Sequence, residues 1–217
     1  MIVRSWTLRP RPGRYDDAIG LVTEGVKLAE RHGGGQARVF QAAAAGPSTG
    51  HLVLTCEFDN LAAYGRYLDD MALDAEAHAY THRIREAEAP FLYESTAILA
   101  ELDLGRTDAK RGSGRVLDAR FGRPLPGRWD DTMAFAREAF DHCDANGAVG
   151  CRLFEMDHAG AHTGMLAAVM EYDSMAAFGA AGDAWMANGG STLTERMRTD
   201  RPFLPISSAL YTEVALG

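Results

Sequence analysis

Apolar positions along the chain follow two periods in a fixed order, and that order occurs twice. A short strand is predicted at 2–8 and again at 115–121, each followed by a Pro-Gly turn at Pro12-Gly13 and Pro126-Gly127. Asp16-Asp17 and Asp130-Asp131 then place negative charge in the first turn of a helix, where the backbone dipole favours it. Helical spacing follows in both places, through Ile19, Val22, Val26 and Ala29 in one and Met133, Ala136, Phe140 and Cys143 in the other. Gly33-Gly34 and Asn146-Gly147 end these helices, because both residue types tolerate left-handed backbone. Two strands come next, 36–43 with 51–58 and 149–156 with 164–172, the first pair joined as a hairpin by Gly-Pro-Ser-Thr-Gly at 46–50. A second helix is predicted after Asp59-Asn60 and after Asp173-Ser174, ending before Pro90 and Pro202. Last strands at 95–102 and 207–216 complete the order β-α-β-β-α-β in each half.

The doubling is visible residue by residue. An offset of 114 positions lays Pro12-Gly13-Arg14-Tyr15-Asp16-Asp17 on Pro126-Gly127-Arg128-Trp129-Asp130-Asp131, and pairs Arg38 with Arg152, Phe40 with Phe154 and Glu57 with Glu171. Later the offset becomes 112, and Pro90-Phe91-Leu92 falls on Pro202-Phe203-Leu204. A period this long marks a duplicated domain rather than a solenoid. The expected organisation is a first ferredoxin-like repeat over 1–104, a polar, glycine-rich linker over 105–114 and a second repeat over 115–217. The fold class is α+β. Each sheet has one face for its helices and one face in need of a partner, so the two repeats are expected to pack sheet to sheet as a single-chain, pseudo-dimeric α/β barrel.

Composition narrows the function more than the fold. A content of 47% hydrophobic and 24% charged residues is that of an ordinary globular protein. The formal net charge of -8, with no basic cluster beyond Lys110-Arg111, argues against nucleic acid as a partner. No apolar run approaches the length needed to cross a bilayer, and the first residues lack the apolar core of a signal peptide, so the expectation is a cytoplasmic protein without a membrane partner. Homo-oligomerisation stays open. Cys56, Cys143 and Cys151 form no CxxC pattern and read as reduced, buried side chains.

Strand alternation nominates the residues that could meet a ligand. Leu52, Leu54, Cys56 and Phe58 form one apolar face, matched by Leu166, Ala168, Met170 and Tyr172, and this face is expected under the helices. The opposite face then carries His51, Val53, Thr55 and Glu57, joined by Arg38 and Phe40 and, through the alignment, by Arg4 and Trp6. The second half contributes Asp118, Arg120, Arg152, Phe154 and Glu171 to the same expectation. If the hairpins turn symmetrically about Pro47-Ser48 and Ala161-His162, Arg38 stands opposite Glu57 and Arg152 opposite Glu171. Such pairs either hold the pseudo-symmetric scaffold together or serve as polar handles in a pocket walled by Trp6, Phe40 and Phe154. In the second predicted helix Asp74, His78 and His82 are four apart and share a face, a spacing open to a solvated surface, a general base, or a metal or haem ligand. No metal site is predicted, since two histidines lack a further fixed ligand. The second half has Gly190 and Thr194 at those positions.

The element order and the duplication resemble the dimeric α/β-barrel superfamily, in tandem-fused form, and are similar to antibiotic-biosynthesis-monooxygenase-like and NIPSNAP-like domains. That resemblance implies a small-molecule-binding protein, extending to a cofactor-free enzyme of the oxygenase, isomerase or cyclase type acting on an apolar or aromatic substrate. His78 or His82 would then be the base, with Arg4, Arg38 or Arg120 stabilising a developing enolate or phenolate. Two other readings remain: a non-catalytic binding or assembly module, and a haem-binding protein. Haem-degrading relatives combine Asn, Trp and His in one pocket, and this chain has no Asn on its first strand.

Overall fold

Strand β1 (Ile2–Pro10) leads through the Pro-Gly turn into α1 (Tyr15–Arg31), whose first turn carries Asp16 and Asp17. Strands β2 (Gly35–Ala44) and β3 (Leu52–Phe58) form the hairpin, followed by α2 (Leu61–Leu73), α3 (Ala75–Arg83) and β4 (Phe91–Leu102). The same series returns as β5 (Val116–Pro124), α4 (Trp129–Ala145), β6 (Gly150–His158), β7 (Leu166–Tyr172), α5 (Met175–Ala187), α6 (Gly190–Thr199) and β8 (Phe203–Glu213). This is a computed structural model, and it describes residues 1–106 and 114–216. Most of the expected linker, at 107–113, lies outside the described residues.

Within each half the strands are antiparallel, in the order β4-β1-β3-β2 and β8-β5-β7-β6. The chain divides into two compact units that are not continuous in sequence. The first is Met1–Ala100 with Asp157–Ala161 and Glu213–Gly217, and the second is Glu101–Met156 with His162–Thr212. No helix among the described residues is long and apolar enough to cross a membrane.

The predicted second helix of each half is two helices. In the first unit Asp74 takes an extended backbone, ends α2 and caps α3, accepting at Oδ1 from the Glu76 N–H at 2.7 Å and the Ala77 N–H at 3.4 Å. A residue that bonds its own following amides offers the chain an alternative to continued helix, so the helix restarts there. In the second unit Asn188 ends α5, and Gly189 leads into α6 without a side-chain cap.

Burial alternates strictly along β3, with Leu52, Leu54, Cys56 and Phe58 buried. They meet Val22, Val26 and Ala29 of α1 and Tyr64 and Tyr67 of α2 in one core, as the helical spacing predicts. Each large apolar side chain fully removed from water contributes about 2 kcal/mol. The second unit repeats this with Leu166, Met170 and Tyr172 against Phe140 and Cys143. Helix α3 is tied to α1 by Arg31–Glu76 at 2.6 Å, His32–Asp74 at 2.7 Å and an Arg83–Glu24 pair. It packs closely because Gly25 leaves room for the Tyr80 ring, which any Cβ at that position would strike.

Candidate functional site

Cross-strand register decides which side chains share a face. Along β1, Arg4 stands opposite Cys56 and Trp6 opposite Leu54, while Val3, Ser5 and Thr7 stand opposite Glu57, Thr55 and Val53. Arg4 and Trp6 therefore lie on the helix side of the first sheet, and the expectation that they share a face with Glu57 is corrected. Ile2 and Leu8, in phase with them, are buried in the same core. The second unit corrects Asp118 and Arg120 in the same way: they stand opposite Met170 and Ala168, on the helix side.

Arg38, Phe40 and Glu57 do share the other face, but Arg38 stands opposite Thr55, and Glu57 opposite Gly35. Likewise Arg152 stands opposite Val169, and Glu171 opposite Gly150. The predicted register fails because the hairpins are not symmetric about the assumed centres. Gly50, at φ +87°, donates to the Ala42 carbonyl at 2.8 Å while the Ala42 N–H donates to His51, which moves the centre of the loop toward β2. Gly164, at φ +78°, does the same to Met156. Each arginine meets a glutamate from a strand end: Arg38 Nε donates to Glu213 at 2.9 Å, and Arg152 Nε to Glu101 at 3.1 Å. Each also lies over a ring, Arg38 at 4.6 Å from the Phe40 centroid and Arg152 at 4.7 Å from Phe154. These side chains are largely buried, so the ion pairs are only weakly screened.

The helix side of the first unit holds the more unusual chemistry. Strand β1 is central, hydrogen-bonded to β3 and β4, and Ile2 and Leu8 are buried, yet Arg4 and Trp6 between them stay partly accessible. Thr96 and Tyr93 of β4, opposite Trp6 and Leu8, are exposed, so water reaches the helix side of this sheet beside Trp6. The Arg4 guanidinium lies 5.2 Å from the Trp6 ring centroid and 5.8 Å from that of Tyr64. Behind them Phe58 packs on Tyr64 at 5.2 Å and on Tyr67 at 5.1 Å. Burial pushes the Tyr67 phenol well above its ordinary value, and desolvation outweighs Arg85 and Arg4 in raising that of half-exposed Tyr93. Both hydroxyls therefore stay protonated near neutrality and can donate. Burial also pushes the Cys56 thiol up to about 12, with Glu30 adding to it, which leaves it inert.

Arg4 Nε is fully buried and has no hydrogen-bond partner. Leaving a buried charged donor unsatisfied costs about 2 kcal/mol, so such a group needs an explanation outside the fold. The aligned place in the second unit is Asp118, buried and bonded by Arg120 Nη2 at 2.8 Å and Nε at 3.1 Å. Tyr64, Tyr67 and Tyr93 are replaced there by Phe178, Ala181 and Pro205. Sequence reasoning missed these three tyrosines, although their loss from the second copy was a readable sign. Nearby, the Cys143 and Cys151 thiols are hydrogen-bonded to each other, and all three cysteines are free and buried.

His78 and His82 lie on the exposed side of α3, whose buried positions are Ala77 and Tyr80. The His78 ring bonds the Ala72 carbonyl at 2.7 Å and the His82 ring meets Glu86 at 2.9 Å. An axial haem ligand drawn from either would have to leave these surface partners, so the pair does not fit that group. Among the described residues no three His, Cys, Asp or Glu side chains are grouped to hold a metal ion.

No protein-family model matches the sequence, and no curated protein does. Solved structures match over the whole chain. An anthrone oxidase-like protein superposes with a TM-score of 0.64 at 14% identity, covering 99% of this chain and 92% of its own. A monooxygenase candidate of Fusobacterium nucleatum gives 0.59 at 7%, with 100% and 92% covered. A chlorite dismutase variant from Candidatus Nitrospira defluvii gives 0.60 at 12%, with 99% and 91% covered. Together with a Listeria monocytogenes ferredoxin-fold protein related to antibiotic biosynthesis monooxygenases, these likenesses establish the chain's fold as the tandem ferredoxin-like, dimeric α/β-barrel type.

Proposed function

We propose that the chain binds a planar aromatic small molecule on the helix side of the sheet in its first unit, beside Trp6 and Tyr93, and oxidises it with molecular oxygen, without a cofactor. The observation that carries this is the aromatic group on the helix side of β1, where partly accessible Trp6 and buried Tyr64 flank Arg4 and half-exposed Tyr93 stands on the neighbouring strand. Large rings stack on such walls, and a few polar groups fix their orientation. The fold shared with an anthrone oxidase-like protein supplies a substrate type to test. In an anthrone the methylene between two rings is acidic enough to lose a proton, and the delocalised carbanion reduces oxygen directly. The net step, CH2 + O2 to C=O + H2O, balances because the carbon supplies every electron that the oxygen takes up. Tyr67 or Tyr93 would donate the proton that lets water leave.

Arg38 with Phe40 and Glu213, and Arg152 with Phe154 and Glu101, are scaffold in this reading, since the same geometry in both units offers no basis for a single site. His78 and His82 take no part. The test is anthrone in air-saturated buffer, with quinone absorbance and oxygen uptake followed together. Equimolar oxygen consumption above the spontaneous rate, slowed by Tyr93→Phe or Tyr67→Phe, supports the proposal. Calorimetric binding without turnover removes the oxidation, and the absence of both removes the whole reading.

A further inference from the structure

We infer that the ligand of the first unit carries an oxyanion, a carboxylate or a phenolate conjugated to its ring system, and that Arg4 is the residue that recognises it. This rests on the aromatic-ligand reading above and adds the charge. Arginine has five N–H donors, no acceptor, and a charge it does not lose. At Arg4 none of those donors meets a hydrogen-bond acceptor or a carboxylate among the described residues, and its Nε is sealed from water as well. What surrounds it is aromatic: Trp6 and Tyr64 on its faces and Phe58 and Tyr67 behind. Cation–π contact steadies a guanidinium without using its N–H groups, so the donors remain available to a planar anion.

Arg4 acts on the tyrosines around it, drawing the Tyr67 and Tyr93 phenols down against the larger effect of their burial, with Arg85 adding to it at Tyr93. The second unit has an arginine on the same side of its sheet, and there the chain supplies the anion: exposed Arg120 makes two hydrogen bonds to one oxygen of buried Asp118. In the first unit no carboxylate among the described residues is bonded to Arg4, and the side left open beside Trp6 and Tyr93 is where one can enter.

The probes are 2-naphthoate and its neutral isostere 2-naphthamide, titrated into the full chain by calorimetry. Naphthoate is expected to bind at least tenfold tighter than the amide. In Arg4→Met that preference should vanish, naphthoate weakening more than the amide, and Arg4→Lys should restore part of it, because a point charge attracts an anion but cannot clamp it with two parallel bonds. Arg4→Gln serves if the methionine variant does not fold. Equal affinity of the two probes for the unaltered chain overturns the inference and leaves the aromatic reading standing. A preference that survives in the Arg4 variants overturns it too, by moving the anion site elsewhere. Failure of both probes to bind removes the aromatic reading and this inference with it.

Discussion

The two units keep the same backbone and differ in what they place on the helix side of the sheet. On the other face they agree closely: Arg38, Phe40 and Glu213 in one, Arg152, Phe154 and Glu101 in the other, with matching ring distances and ion pairs. Under the helices they diverge, Arg4, Trp6, Tyr64 and Tyr67 standing where Asp118, Arg120, Phe178 and Ala181 align. Conservation within one chain acts here as an internal control. What both halves retain is explained by folding, and what only one half carries is left over for chemistry.

The largest effect should come from the shared face. Phe40→Ala and Phe154→Ala each remove a buried ring and a cation–π partner and should cost about 3 kcal/mol or more in urea unfolding, by similar amounts. A loss at one position several-fold smaller than at the other would end the claim that this face is a repeated scaffold. Next, Arg38→Met and Arg152→Met, which take one partner from a mostly buried glutamate, should each cost about 2 kcal/mol, again alike.

A smaller effect should differ in sign between the units. Asp118→Asn weakens two hydrogen bonds to Arg120 and should destabilise by about 1 kcal/mol, whereas Arg4→Gln relieves an unpaired buried donor and should leave the chain as stable or more so. Equal losses at both positions would mean that Arg4 has a structural partner after all.

The smallest concerns acid. The His32 hydrogen bond, then the Glu76 amide, hold the Asp74 carboxyl below its ordinary range. A carboxylate lowered on folding lends stability above its unfolded value of 3.8, and that support is lost as the pH falls through the lowered value. Amide exchange in the first turn of α3 should therefore accelerate in acid more than in α6, which has no side-chain cap, and Asp74→Asn should flatten the difference.

Much of this was legible in the chain. The strand order and the buried face of β3 follow from periodicity, because Leu52, Leu54, Cys56 and Phe58 leave no doubt about phase, and the duplication follows from residue matches at a fixed offset; the break of each second helix into two did not show. Strand β1 was harder, since arginine and tryptophan interrupt its apolar set, and only Ile2 and Leu8 reveal that the even positions face the helices. In β5 the pattern misleads outright: Leu117, Ala119 and Phe121 look like the core-facing set, yet buried Asp118 and exposed Arg120 are in register with the helix-side residues of β7. The aromatic grouping itself could not be read, because Tyr93 joins it from a strand about 90 residues away, past a register shift between Thr7 and Leu8.

The end of the chain carries a practical consequence. Glu213 closes on Arg38, and the Val214 N–H donates to the Val39 carbonyl at 2.8 Å, both within the first unit. Separating the two repeats at the glycine-rich stretch would thus deprive the amino-terminal half of groups supplied by the last residues of the carboxy-terminal one. The duplication is written in the sequence, but the amino-terminal copy now depends for these two contacts on residues at the far end of the chain.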